Sequence, residues 1–150
     1  MVWATCLLGW TLIALAVVDV QHHILPDFLT LSLVPIGLAV AAAEAPTTIV
    51  DHAIGMMVGF VFVAIVRQLY WFVRRREGIG LGDAKLLAAA GAWVAWQGLP
   101  SVVLIAACFG LGVTLLRSAR SGHISVIEAV PFGAYLCLGI WVVWLYGPIR

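Results

Sequence analysis

The sequence predicts an all-α, polytopic membrane protein with six transmembrane helices, and three observations carry that reading. First, 64% of the 150 residues are hydrophobic and only 10% are charged, giving a mean hydropathy of +1.12. A soluble domain of this size has too little interior to hide so much apolar surface. Second, the apolar residues gather into runs near the ~20 residues that a membrane-spanning helix needs. Third, the basic residues fall almost wholly on one side of those runs. A net charge of +1 gives no electrostatic reason to expect nucleic acid as a partner.

The first run, 3–18, closes on Ala16-Val17-Val18-Asp19. It has no basic stretch ahead of it and no small-residue cleavage site after it, so it is expected to be a retained helix and not a signal peptide. The second run is 24–43. Pro26 disfavours a helical Leu25, and Asp27 is suited to cap the helix beyond. The third, 49–73, carries Gly55 and Gly59 in the GxxxG spacing, which packs membrane helices closely, either within one monomer or across a homodimer. The fourth, 84–96, is short for a span and is expected to stop below one membrane face or to begin inside a cavity. The fifth and sixth are 101–116 and 129–146. Together they make a single transmembrane domain, 1–150. Trp71, Trp96 and Trp144 lie near span ends, as an interfacial belt requires. Cys6, Cys108 and Cys137 lie in apolar runs with no CxxC pairing and are expected to be small buried hydrophobes.

Of the eight Lys and Arg residues, Arg67, Arg74, Arg75, Arg76, Lys85, Arg117 and Arg120 fall on one side of these runs and Arg150 on the other. The positive-inside rule then places the N-terminus outside and the loops 19–27, 74–83 and 117–128 in the cytoplasm. Arg74–Arg76 is expected to anchor this face to anionic lipid. Asp19, Asp27, Glu77, Asp83 and Glu128 share the same side.

Two of these carboxylates stand out. Asp19 ends a membrane helix, where an ionisable group is costly and marks a functional site unless it merely reaches headgroup water. Asp83 follows Gly80-Leu81-Gly82 and opens the short fourth helix. An N-cap role would account for the aspartate, but the paired glycines point to a sharp bend or a close approach. If the first and fourth helices pack together, the two carboxylates face each other and share one proton. One then activates water while the other polarises a peptide carbonyl, with no metal and no covalent intermediate. The helix dipoles put the charge on Asp83, at a helix N-terminus, and the proton on Asp19, near a C-terminus. Lys85 adds to this if its ammonium bends back.

Other polar groups carry weaker signals. His22 and His23 with Asp19 and Asp27 can be drawn as a metal site, but adjacent histidines ligate one ion poorly and no metal is expected. Asp27 is better suited to capping than to catalysis, with leader recognition open to it. Glu128 precedes Ala129-Val130-Pro131 at the start of the last helix, where a carboxylate suits the dipole. Gly80, Gly82, Lys85, Asp27, Glu128 and Pro131 are therefore candidates for supporting or substrate-binding roles around Asp19 and Asp83.

The segments Asp19-Val-Gln-His-His-Ile-Leu-Pro-Asp-Phe-Leu-Thr30, Gly80-Leu-Gly-Asp-Ala-Lys-Leu-Leu-Ala-Ala-Ala-Gly-Ala-Trp93 and Ala129-Val-Pro-Phe-Gly-Ala-Tyr135 resemble the three signature segments of the type IV prepilin peptidases. The resemblance covers essentially the whole chain. It implies a GxGD-type aspartyl endopeptidase in the inner membrane that cuts prepilin or pseudopilin leaders on the cytoplasmic side, with Asp19 and Asp83 as the catalytic pair. The implied substrate has a basic leader, one membrane helix, and a cleaved bond after a glycine. Many bacterial members carry an added cytoplasmic region with two CxxC pairs and an N-methyltransferase activity. These residues are absent here, so peptidase activity without N-methylation, zinc or S-adenosylmethionine is expected. Ala134 stands where the family usually has proline. Two other classes remain open: a proton-coupled transporter, which the one-sided carboxylates and lack of inverted repeats disfavour, and a membrane scaffold with an idle acid pair.

Overall fold

The computed structural model describes residues 2–22, 24–44, 46–74, 80–121 and 131–148. They form α1 (Val2–His22), α2 (Asp27–Glu44), a 3-10 turn at Pro46–Thr48, α3 (Ile49–Arg74), α4 (Leu81–Ser121) and α5 (Phe132–Tyr146). Helix is what these runs must adopt in lipid, where each backbone polar group has to find its partner within its own segment. The first four helices are long and apolar enough to cross a membrane, and α5 is a shorter apolar helix. Large apolar side chains such as Trp10, Phe28, Ile65 and Phe72 point outward, as they do where hydrocarbon is the solvent. The chain is an integral membrane protein with an all-α, polytopic fold.

A straight α4 of 41 residues would be ~60 Å long, twice the ~30 Å of the hydrocarbon core. It is not straight. Ala95 is non-helical, at φ 57° and ψ 179°, and the helix doubles back there. The contacts with α5 establish the reversal. Before the break, Asp83 lies near Asp19, which bonds Ala134, and Trp93 stacks edge-on against Trp144 at 5.3 Å. Residue numbers rise together, so this run is parallel to α5. After the break, Gly98 abuts Val143, Gly139 abuts Val102, and Gly110 abuts Tyr135. Numbers now run in opposition, so 96–121 is antiparallel to α5. The fourth and fifth expected helices therefore exist as separate runs within one element, joined at Ala95 and not across 97–100.

The corner is held by α3. A Cβ on Gly55 would stand 2.7 Å from both Gly91 O and Trp96 N, and one on Gly59 would strike the Leu87 carbonyl. The GxxxG pair thus brings α3 backbone-to-backbone with α4 within one monomer, the use such spacing has in membranes. His52 Nδ1 lies 3.0 Å from Ala92 O in the turn before the break, where helix carbonyls run short of amide partners. Trp96 Nε1 donates to Asp51 Oδ1 at 3.2 Å. The packed centre is Trp93, buried against Gly37, with its indole N–H donating to Leu33 O at 2.9 Å. α1 and α2 are expected at 3–18 and 24–43; α1 instead runs on through Asp19 to His22, and α2 starts at Asp27.

Candidate active site

Asp19 lies in the last turn of α1 and is 5% exposed. Its partner explains why a carboxylate is tolerated so deep. α5 starts after Pro131, whose side chain caps nothing, so the first amides of α5 need acceptors from elsewhere. The Ala134 N–H, third in the helix, donates to Asp19 Oδ2 at 2.8 Å. That is the amide which an N-cap aspartate normally engages, so Asp19 caps α5 from a different helix. The approach requires Gly133, because a Cβ there would sit 2.9 Å from Asp19 Oδ2.

Asp83 reaches the same place from the first turn of α4 and lies within electrostatic range of Asp19. Cys137, one turn along α5 and 3% exposed, lies within electrostatic range of both. Leu25 forms the wedge between the two helix starts. A Cβ on Gly82 would stand 2.9 Å from Leu25 Cβ, and one on Gly133 would stand 2.9 Å from Leu25 Cδ1. The arrangement is a pair of carboxylates from separate helices, one oxygen pinned by an amide, over a floor of small side chains. Two carboxylates within electrostatic range of each other are the groups from which an acid–base pair is built.

The remaining predicted residues divide. Gly82 precedes Asp83 and makes the close approach that the sequence suggested, and Pro131 is buried ahead of the first turn of α5. Gly80 is exposed and a Cβ there would meet only Gly82 N, at 3.8 Å, so space does not demand glycine. Lys85 does not bend back toward Asp83. Its Nζ donates instead to Asp27 Oδ1 at 2.6 Å. Asp27 opens α2 as part of that ion pair, while the Leu29 and Thr30 amides bond to Pro26 O. His22 is exposed, and His23, Glu77 and Glu128 lie outside the described residues. The dipole expectation for Asp19 needs correction. It counted the C-terminus of α1, but the N-terminus of α5 faces the same carboxylate, and the two ends oppose each other.

Sequence reasoning missed Gly133, Cys137 and Leu25. Gly133 carried a faint signal, since it follows Pro131 at a helix start. Nothing in the sequence relates Leu25 or Cys137 to residues so distant along the chain.

An all-α bundle of apolar helices that brings acids from two helix ends within electrostatic range defines an integral membrane protein with a candidate acid pair. The particular lineage is plain: the chain belongs to the type IV leader peptidase family, whose model matches residues 6–115. It is 39% identical, over 96% of its length, to a protein of Aeromonas salmonicida (strain A449) named prepilin leader peptidase/N-methyltransferase, covering 49% of that protein. Proteins of the same name from Stutzerimonas stutzeri and Pseudomonas aeruginosa are 39% and 38% identical over 96% of this chain, which covers 50% and 49% of them. The chain thus spans about half the length of the curated relatives it matches. No solved structure matches it.

Proposed function

We propose that these 150 residues form a single membrane-embedded peptidase domain that cleaves the leader peptides of prepilins or pseudopilins, using Asp19 and Asp83 as a catalytic pair. The observation that carries this reading is the meeting of the two acids at one end of the bundle, in a chain of the leader peptidase family. The domain lies in the inner membrane with its N-terminus outside and the acid pair toward the cytoplasm, an orientation that the distribution of Lys and Arg supports.

In the mechanism we infer, the pair holds one proton. The unprotonated carboxylate takes a proton from a water molecule as its oxygen attacks the scissile carbonyl, while the protonated acid donates to the carbonyl oxygen. Collapse of the tetrahedral intermediate returns that proton to the carboxylate and delivers the other to the departing amine. Chemistry of this kind needs neither metal nor cofactor. The Ala134 amide holds Oδ2 of Asp19, and Oδ1 is the oxygen we assign to water and substrate. The relatives' names join two activities, and the reading here takes the peptidase for these residues.

The test is cleavage of a model prepilin by the purified protein in liposomes. Wild type is expected to cut at the leader junction, and Asp19→Asn and Asp83→Asn to be inactive but folded. Normal cleavage by both variants removes the catalytic assignment.

A further inference from the structure

The leading segment of α2 touches both halves of the site. Leu25 packs on Gly82 and Gly133, and two residues later Asp27 binds Lys85. Lys85 follows Asp83 by two positions, and such residues project ~200° apart around a helix. When Lys85 reaches toward α2, Asp83 is turned the opposite way, toward α1 and α5, where Asp19 and Cys137 lie. Ala84 in the same turn, and Leu86 and Leu87 in the next, are buried in the core and set the rotation of the helix as a whole, while the ion pair ties down its open side. A Cβ on Gly80 would meet only Gly82 N, at 3.8 Å, and Gly82 offers Leu25 only a backbone surface.

We infer that the Asp27–Lys85 ion pair is a positioning device, which holds the open side of the first turn of α4 against α2 and so keeps Asp83 turned toward Asp19. Asp27 and Lys85 are positioning residues and touch neither substrate nor water in the reaction. The inference rests on the proposed role of Asp83. Exposure separates this role from a merely structural one. The Asp27 side chain is 63% exposed and that of Lys85 24%. A pair as open as this contributes little to stability. Its value lies in geometry, since a misplacement of ~1 Å costs a reaction up to ~100-fold in rate.

The experiment measures kcat and KM for prepilin cleavage by the full chain in liposomes, alongside thermal unfolding, for Lys85→Met, Asp27→Asn, their double variant, Lys85→Arg and Asp27→Glu. The expected result is a fall of ~3- to 5-fold in kcat for Lys85→Met and for Asp27→Asn, the most that an exposed pair can bias the geometry. KM should stay within about twofold and the unfolding midpoint near wild type. The double variant should be no slower than the slower single, because both changes break the same contact. Lys85→Arg and Asp27→Glu should recover most of the rate. Losses that multiply in the double variant, losses confined to KM, or rates that only follow the unfolding midpoint each overturn the inference. Asp83→Asn is the control. If it is inactive while the pair variants cut normally, the inference alone fails; if it too cuts normally, the catalytic reading falls with it.

Discussion

Gly133→Ala probes the closest contact in the candidate site. The added methyl would lie 2.9 Å from Asp19 Oδ2, 3.0 Å from Asp19 Cγ and 2.9 Å from Leu25 Cδ1. Comfortable contact for a methyl carbon begins at about 3.5 Å, so the carboxylate must retreat by ~0.5 Å or rotate. Leu25 closes the other direction, and a buried Asp19 has no solvent to swing into. Retreat breaks the 2.8 Å bond from the Ala134 amide. A hydrogen bond to a charged group is worth ~1.5–3 kcal/mol, and relaxation recovers part of it, so a stability loss of ~1–2 kcal/mol is expected. The catalytic effect is larger in proportion, ~10- to 100-fold in kcat, since the displaced group is one of the two acids. Prepilin cleavage and thermal unfolding, measured on the same preparation, separate the two effects. Cleavage at the wild-type rate by a folded Gly133→Ala protein refutes the tight seating of Asp19 on α5.

Three further outcomes are expected. Asp19→Asn keeps an oxygen that accepts from Ala134 and should unfold near wild type while losing cleavage; Asp19→Ala loses the cap as well, and unfolding should show an additional cost of ~0.5–2 kcal/mol. Ala95→Gly removes the penalty of a side chain at φ 57°, ~1–3 kcal/mol, against a glycine cost of ~0.5–1, so a net gain near ~1 kcal/mol should appear as a higher unfolding midpoint. A lower midpoint shows that the corner is unstrained. Trp93→Phe gives up the bond to Leu33 O for ~1 kcal/mol, whereas Trp93→Ala should cost ~3–5 kcal/mol by opening a cavity at the centre; equal losses in denaturant titration contradict that packing.

Much of this fold is written in the apolar runs, because a bilayer leaves a chain few options once hydropathy has marked the segments. The corner of α4 shows where such reading stops. Gly98 and Pro100 are the residues that local rules choose as breakers, and both fall in the gap at 97–100 between the expected fourth and fifth helices. The turn falls instead on Ala95, a residue type that favours helix, because Gly55 and Gly91 press α3 against α4 there and tertiary contact outweighs propensity. The site divides in the same way. Asp19 and Asp83 are legible as acids at helix ends, and Gly82 as a close approach. The seating of Asp19 on α5, the wedge of Leu25 and the bond from Lys85 to Asp27 join residues 57 to 115 positions apart, beyond any local pattern.

The hairpin at Ala95 also bears on the lipid around the protein. The run 81–94 rises only ~21 Å, against a hydrocarbon slab of ~30 Å. In the orientation proposed above, with the corner at the outer face, the end bearing Asp83 falls several ångströms short of the opposite headgroups. Either the leaflet dips to meet it or water enters a funnel above it, and both outcomes bring solvent to a carboxylate that would otherwise stand in oil. Hydrophobic mismatch of this kind ties hydration of the acid pair to acyl-chain length, so that thin bilayers wet the carboxylates and thick ones starve them. The thickness of its host membrane becomes, for this protein, part of the solvent supply of the site.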